Sequence, residues 1–424
     1  MGVAYLRKFC VASTILACTA GVFGSAAQET MPSAVDNSTL KYFPPLIDQI
    51  GGSCAQASYI GYMFTYEMNR LLGRDASASK DNQFSYLYTW NFINGGEDEG
   101  SLGVEGLQIA FEGGIATEAD FPSQYTSSQF KWTSGYENYL KAIHHRVKKI
   151  HFFNVLSREG VDEVRHYLWN RGEPGKTGGI VTFSSRSSGW TIETNYSGPS
   201  ETGYKALLTR LAPDGAHAMT IVGYDDLVEF NAPDGTLSKG AFIVCNTWGT
   251  YYYKHDRGRF YLPYWFWEQA DRDLGALGAD MIGTDVEYRE PKVVFRVKLD
   301  YSSRDDLAFR IGISNKASDK SPVNDYAVPI ANYQGGDYPM QGNGASSEIE
   351  FAFDFSSYAG NIDDSAEPKF FLTVCRNKRG KVYGSGKMLA FSVYDYRSDR
   401  EHPKIYTCEG IAGREIQSGN NVFS

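Results

Sequence analysis

The first half of the chain carries apolar side chains at helical spacing. Between residues 57 and 72 they recur every three or four positions, at Ala57, Ile60, Phe64, Met68 and Leu71. This spacing places them on one face of a helix, and Gly73 is of the residue type that commonly ends one. Weaker patterns of the same period predict helices near residues 83–93, 103–112, 135–147 and 160–171.

From about residue 178 the pattern changes to short apolar runs that are typical of strands. They lie at residues 180–183, 218–224, 240–245 and 258–262, and we expect the last run to close the set. A helical part followed by a β-rich part predicts an α+β domain of two lobes with a cleft between them.

Beyond residue 289 apolar and polar residues alternate. Residues 292–299 place every second side chain, from Val293 to Leu299, on one face, and the same alternation recurs at 307–314 and 348–355. Two further strands are expected at residues 370–374 and 388–394, and turns rich in Gly, Ser and Asp separate them all. The pattern predicts an all-β sandwich.

Composition excludes several classes of protein. The 424 residues are 42% hydrophobic with a formal net charge of −9, which is typical of a globular protein of two or three domains. The acidic balance argues against a nucleic-acid partner, because phosphate binding needs surplus Lys and Arg. The mean hydropathy of −0.37 excludes a polytopic membrane protein.

The N-terminus has the features of an export signal. Arg7 and Lys8 precede an apolar run at residues 9–23, and small residues at 25–27 suit a cleavage site. A second interpretation stays open, because residues 15–18 have the form of a lipoprotein processing site that leaves a lipid anchor on Cys18. Both interpretations predict a secreted, periplasmic or surface-anchored protein that contacts a membrane only through that lipid.

The chain therefore divides into four predicted regions. They are a signal peptide at 1–27, or a lipoprotein signal ending before Cys18, then an arm at 28–45, an α+β domain at 46–288 and a β-sandwich module at 289–424. Only about twenty residues lie between the signal and Gln49, so we expect a short arm in or near the cleft that restrains activity, not a long inhibitory propeptide.

Three separated segments carry candidate chemistry. Cys54 follows a Gly-Gly-Ser turn and precedes the predicted helix, where the helix dipole favours a thiolate. His217 stands at the start of an apolar strand, where it could act as general base and acid. Asn246 ends another strand two residues before Trp248. A nucleophile, a base and a group that orients the base suit covalent acyl transfer.

These motifs, in this order, resemble those of papain-like cysteine peptidases, and the chain resembles an exported bacterial-type member. The likeness covers residues 44–270, about half of the chain, and residues 113–122 and 258–264 are similar to further segments of the family. It implies a two-lobed papain-like catalytic domain that hydrolyses peptide bonds through a thioester acyl-enzyme.

The resemblance also implies a role for each matching residue. Cys54 is the nucleophile, His217 forms an ion pair with it, and Asn246 orients the imidazole. Gln49 donates a side-chain N–H to the oxyanion hole together with the Cys54 main chain, and Trp248 shields the bond between His217 and Asn246.

Two departures from the family pattern bear on these roles. One residue fewer than usual separates Gln49 from Cys54, which moves the glutamine amide by up to about 3.5 Å unless the loop compensates. Ala55 stands where an aromatic residue is usual. Two other functions therefore stay open: a catalytically degenerate protein that binds peptide or glycan, and a non-proteolytic amide hydrolase or acyl transferase.

The remaining candidates have plainer interpretations. No cluster has the spacing of metal ligands, so we expect no metal and no cofactor.

The run from Glu97 to Glu99 is either a solvated acidic loop or a site that favours basic or free-amine substrates. Partners are expected to be peptide or protein substrates, with a glycan or protein ligand for the module. Six histidines have polar sequence neighbours and are expected at the solvated surface: His144, His145, His151, His166, His255 and His402.

The cysteines left after export are too few for a disulfide scaffold. Cys245 lies in an apolar run and is expected to be a small buried filler. Cys375 and Cys408 could either pair within the module or remain two separate thiols, and the sequence leaves both open.

Overall fold

The computed structural model describes residues 30–125, 128–250, 252, 254–269, 273–328, 330, 335–376 and 384–424. The predicted signal peptide and the lipid-anchor cysteine, Cys18, lie outside these residues. Among the residues that are described, no helix is both long and apolar enough to cross a membrane.

A long buried helix begins at the candidate nucleophile. It consists of an α-helical turn, α1 (Cys54–Gln56), a π-helical stretch (Ala57–Phe64) and a second α-helical part, α2 (Thr65–Leu72). Every residue of the π-helical stretch is buried, so this part of the helix is enclosed on all sides and is not one-faced as predicted, whereas Leu71 near the C-terminal end is exposed. It ends at Gly73, whose φ of +67° is readily adopted by glycine.

Four further helices follow the sequence prediction, three of them with shifted ends, and a short fifth was not predicted. They are α3 (Tyr86–Ile93), α4 (Gly103–Glu112), α5 (Tyr136–Ile143), α6 (Arg158–Asn170) and a short α7 (Trp265–Glu268). The predicted helix at 135–147 stops early because the chain enters a strand at His145. Ser85 and Ser157 cap α3 and α6 by accepting main-chain N–H groups.

Nine strands form the sheet that carries two of the candidate residues. Its order is β2-β9-β3-β6-β7-β8-β5-β4, and β1 also pairs with β6. The strands are β1 (Ala34–Asp36), β2 (His145–Asn154), β3 (Val181–Ser188), β4 (Thr191–Glu193), β5 (Leu207–Arg210), β6 (Asp214–Asn231), β7 (Leu237–Cys245), β8 (Arg259–Pro263) and β9 (Leu277–Tyr288). The run at 258–262 therefore does not close the set, since β9 inserts between β2 and β3.

Strand register explains why two distant motifs meet. β6 and β7 are antiparallel, with Thr220 opposite Cys245. Residues just before position 220 and just after position 245 must then lie at the same end of the sheet. His217 and Asn246 occupy these positions.

The N-terminal arm belongs to this sheet. Residues 34–36 pair antiparallel with residues 223–225 of β6. At about 3.3 Å per strand residue, this pairing lies about 20 Å along β6 from His217. Residues 34–36 therefore form a strand of the sheet away from His217, and the Asp36 carboxylate accepts a hydrogen bond from the Tyr204 hydroxyl at 2.7 Å. The expected restraint of activity by the arm stays a prediction.

The C-terminal part of the chain forms two four-stranded antiparallel sheets, ordered β13-β10-β15-β16 and β12-β11-β14-β17. Aromatic contacts join their inner faces, including Phe295 with Phe370 and Phe309 with Phe351. Cys375 and Cys408 form no disulfide with each other. The strands are β10 (Val293–Tyr301), β11 (Leu307–Ser314), β12 (Asn324–Ala327), β13 (Glu348–Asp354), β14 (Lys369–Arg376), β15 (Gly386–Asp395), β16 (Lys404–Thr407) and β17 (Gly419–Phe423).

These two sheets pack closely against α5, β2 and the end of β9. The buried carboxylate of Asp354 pairs with the guanidinium groups of Arg146, at 3.0 Å, and Arg289, at 2.5 Å. Phe351 contacts Tyr139 of α5 with ring centroids 5.4 Å apart. Residues 32–424 accordingly form one compact unit, although the predicted boundary at 288/289 falls between β9 and β10.

Candidate active site

Cys54 is the first residue of the long helix, and its thiol faces β6. The half-buried thiol lies near the main chain of Ala218, the residue that follows His217. Burial raises the pKa of the Cys54 thiol, and main-chain hydrogen bonds from Ala218 and Ala55 offset this only in part. The expected lowering of this pKa is therefore not found, because burial outweighs the favourable helix terminus.

His217 and Asn246 are joined by a buried hydrogen bond. The distance from His217 Nε2 to Asn246 Oδ1 is 2.8 Å. The same Oδ1 accepts the main-chain N–H of Thr247 at 2.7 Å, which identifies it as the amide oxygen. Nε2 must therefore carry the proton, and in the neutral ring Nδ1 is then the nitrogen that can accept one.

Burial also sets the charge of this imidazole. It lowers the pKa of His217 to about 4, while the bond to Asn246 acts weakly in the opposite direction. The ring is therefore neutral at pH 7, which a general base requires.

Aromatic rings shield the imidazole. Trp248 lies on His217 with ring centroids 4.7 Å apart and planes 24° apart. Behind Trp248, His255 is nearly parallel to the indole at 6.2 Å, and Trp190 lies at 5.5 Å. These rings place the bond between His217 and Asn246 in a low-dielectric environment, where it is stronger than in water.

Two of the histidines expected at the surface are enclosed. Both ring nitrogens of His255 are shielded from solvent and have no partner among the described residues, and burial lowers its pKa to about 3. His145 lies against Phe84, and burial lowers its pKa to about 4. The prediction fails because it judged polarity from sequence neighbours, whereas the rings pack against aromatic residues distant in sequence.

Gln49 lies beside the end of β7 despite its shortened spacing to Cys54. Its main-chain N–H donates to Thr247 O at 2.7 Å, and its Oε1 accepts from Thr247 Oγ1 at 2.5 Å. Its Nε2 donates to Gly51 O at 2.8 Å. One N–H of this amide is thus engaged, and within the described part of the chain the second has no acceptor, so it is available to a substrate oxygen.

Two residues that the sequence analysis did not single out hold the helix against the sheet. Ser58 Oγ donates to Ala218 O at 3.0 Å, and Tyr62 Oη donates to Asn246 O at 3.1 Å. Cys54, Ser58 and Tyr62 follow one another at four-residue spacing, which places polar groups on one face of the helix. That spacing is the sequence signal that could have identified both.

The part of the chain that the structure describes contains no group of three or more His, Cys, Asp or Glu residues able to hold a metal ion.

Cys245 is fully buried beneath Asn246, and burial raises its pKa to about 11. Its thiol is thus kept neutral and out of reach of substrate.

Solved structures similar to this chain include three proteases. Xylellain, a cysteine protease from Xylella fastidiosa, is 18% identical over 60% of this chain and 86% of its own, with a TM-score of 0.38. A procathepsin B from Trypanosoma congolense is 12% identical over 62% and 80%, with a TM-score of 0.39. The bromelain protease from Ananas comosus is 13% identical over 60% and 98%, with a TM-score of 0.36.

No protein-family model matches the chain, and neither does any curated protein. Identities below 25% and TM-scores below 0.5 say nothing about activity or substrate, so function has to be argued from the geometry of the site.

Proposed function

We propose that this protein is an exported cysteine peptidase that hydrolyses peptide bonds through Cys54, His217 and Asn246. The observation that supports this most directly is the bond from His217 Nε2 to Asn246 Oδ1. It fixes the tautomer that leaves Nδ1 as the proton acceptor, on a ring adjacent to the residue that contacts the Cys54 thiol. A histidine that merely filled the core would not need this arrangement.

The first half of the reaction forms a thioester. The Cys54 thiol gives its proton to His217 Nδ1, and the sulfur bonds to the carbonyl carbon of the substrate. Negative charge moves to the carbonyl oxygen, where the Cys54 main-chain N–H and Gln49 Nε2 donate hydrogen bonds. The carbon–nitrogen bond then breaks, and His217 returns the proton to the leaving amine.

The second half hydrolyses that thioester. His217 takes a proton from water, the hydroxyl oxygen bonds to the acyl carbon, and the carbon–sulfur bond breaks. The proton on His217 returns to the Cys54 sulfur as the carboxylic acid leaves. Asn246 holds the imidazole in one orientation throughout, and Trp248 keeps water from the bond between them.

The test combines covalent labelling with hydrolysis of a peptide library. The E64 inhibitor that occupies the solved bromelain structure is a suitable thiol-directed probe. We expect it to label Cys54 much faster than free cysteine, and Cys54→Ala to abolish both labelling and cleavage. Cys408→Ala is the matched control, since that thiol lies in the C-terminal sheets. A Cys54→Ala variant that still cleaved peptides would contradict the proposal.

The other functions make different predictions in the same experiment. A protein that only binds peptide or glycan would react with the probe no faster than free cysteine. An amide hydrolase or acyl transferase acting on a small substrate would be labelled but would cleave no member of the peptide library. Gln49 lies beside Thr247 in spite of the shortened spacing, and this supports the peptidase over the binding protein.

Export and the role of the C-terminal sheets complete the proposal. We propose that residues 1–27 are removed on export, or that processing leaves a lipid on Cys18. Mass spectrometry of the mature N-terminus distinguishes the two outcomes.

We further propose that residues 289–424 form a β-sandwich module that holds the helical part of the chain. Its ligand would be a glycan or a protein, and binding to a glycan array would test this.

A further inference from the structure

The acidic loop from Glu97 to Glu99 packs on the turn that precedes Cys54. The Asp98 carboxylate accepts the main-chain N–H of Gly52, with Oδ1 2.7 Å from the nitrogen. From its sequence this loop could be either a solvated run or a substrate site. In the structure one of its three carboxylates, that of Asp98, is hydrogen-bonded to Gly52, two residues before the candidate nucleophile Cys54.

The turn and the loop are complementary in shape. A Cβ atom on Gly51 would lie 1.9 Å from Asp98 Oδ1, and the φ of Gly51 is +53°. A Cβ atom on Gly52 would lie 2.9 Å from the main chain of Glu99. Glycine is therefore needed at both positions for Asp98 to approach the peptide bond between them.

That peptide bond is hydrogen-bonded at both of its ends. Its N–H, on Gly52, donates to Asp98, and its C=O, on Gly51, accepts from Gln49 Nε2 at 2.8 Å. Donation to a carboxylate polarises a peptide group and strengthens its carbonyl as an acceptor. Asp98, the peptide and the Gln49 amide thus form one continuous hydrogen-bonded chain.

The loop that carries Asp98 is itself supported on both sides. Trp90 Nε1 donates to Glu99 O at 3.0 Å, and the buried Gln56 donates to Leu102 O at 3.0 Å. On the other side Gly96 lies against the C-terminal part of the chain, where an added Cβ atom would be 2.6 Å from the Tyr338 ring. The carboxylate is therefore held in place by the fold, although it is exposed to solvent.

We propose that Asp98 is a positioning residue for oxyanion stabilisation, which it supports by orienting the 51–52 peptide and, through it, the Gln49 amide. The inference rests on the proposed peptidase function. It predicts that Asp98 matters for steps in which negative charge develops on a carbonyl oxygen, and not for reactions of the Cys54 thiol that form no oxyanion.

The test compares two reactions of the same thiol in the full-length protein. Hydrolysis of a peptide substrate, and binding of a peptide aldehyde as a hemithioacetal, both place an oxyanion in the site, whereas alkylation by iodoacetamide does not. Asp98→Ala should lower kcat/KM and aldehyde affinity together by about tenfold, less than the 100-fold or more typical of losing a direct oxyanion donor. The loss should lie mainly in kcat, and the rate of iodoacetamide alkylation should stay within about twofold of wild type.

Two further variants separate geometry from charge. Asp98→Asn keeps an acceptor oxygen at the same place, so it should restore most of the activity. Glu97→Gln removes a neighbouring exposed charge and should have no effect on any of the three reactions. Thermal unfolding of each variant verifies that it is folded.

Several results would overturn the inference. They are an Asp98→Ala variant with unchanged kcat/KM, equal losses in hydrolysis and in alkylation, and a Glu97→Gln loss as large as that of Asp98→Ala. Failure of the proposed function looks different, because wild-type protein would then hydrolyse no peptide and Cys54 would react with iodoacetamide no faster than free cysteine.

Discussion

Tyr62 links the helix that begins at Cys54 to the strand end that carries Asn246. Its hydroxyl donates to Asn246 O at 3.1 Å and accepts the main-chain N–H of Ile47 at 2.8 Å. The tyrosine is fully buried, so neither main-chain group can turn to water if the hydroxyl is removed.

Tyr62→Phe is therefore expected to lower the free energy of unfolding by about 1–3 kcal/mol, the cost of leaving buried polar groups unpaired. It should also lower kcat, since Asn246 loses one of its anchors. Urea unfolding and peptide hydrolysis measure the two effects. Tyr196→Phe is the matched control, because that hydroxyl bonds Pro199 O and Glu229 N, away from Cys54; it should destabilise the protein without changing kcat.

The activity should depend on pH through His217. Its neutral ring must accept the thiol proton, and its pKa is lowered to about 4. We expect kcat/KM to fall as the pH drops through about 4, where the imidazole gains a proton, and to be level between about pH 5 and 7. A pH profile of peptide hydrolysis measures this. An acid limb near pH 6.5 would show that the ring titrates like an exposed histidine.

Asn246→Asp should move that acid limb. A carboxylate beside the imidazole favours its protonated form, so the pKa of His217 should rise and kcat/KM should begin to fall at a higher pH than in the wild type. Asn246→Ala removes the acceptor instead and should lower kcat by at least about tenfold, because nothing then fixes the ring tautomer. Matching pH profiles for wild type and Asn246→Asp would contradict the assigned hydrogen bond.

The enclosed histidines should make the fold sensitive to acid. Histidine has a pKa near 6.5 in the unfolded chain, but about 4 in the fold for His217 and His145, and about 3 for His255. The unfolded state therefore binds more protons as the pH falls below 6.5. Each histidine should lower the free energy of unfolding by about 1.4 kcal/mol per pH unit until its folded pKa is reached.

Glu112 acts in the opposite direction, because burial raises its pKa to about 7 and the fold binds its proton first. The decrease in the free energy of unfolding on acidification should therefore be smaller than the three histidines alone would cause. His255→Phe removes one of them from an aromatic environment. It should raise the unfolding temperature relative to wild type by more at pH 5 than at pH 8, and an equal shift at both values would refute this account.

The two C-terminal sheets should be needed for the stability of the part of the chain that carries Cys54 and His217. Asp354→Ala would leave the buried guanidinium of Arg146 without its ionic partner, which typically costs about 3–5 kcal/mol. Asp325→Ala breaks the exposed pair with Arg310 and should cost less than about 1 kcal/mol. Urea unfolding compares the two variants, and similar values for both would show that the interface carries little of the stability.

The sequence predicted the features that depend on local pattern. Cys54, His217 and Asn246 were singled out because each lies at the end of an element with a clear apolar period. β2 was missed because its residues, from His145 to Asn154, mix charged and apolar side chains, and its first part continued a helical pattern. The enclosure of His255 and the contact of Asp98 with Gly52 depend on packing between residues far apart in the chain, which no local pattern reports.

The indole that covers His217 also gives this site a spectroscopic use. A cationic imidazole withdraws electron density from an excited indole ring in contact with it, and so quenches its emission. Trp248 meets this condition whenever His217 holds the thiol proton. If Cys54 passes its proton to His217 as proposed, tryptophan fluorescence should follow that transfer in real time, with no dye attached and no substrate that changes colour.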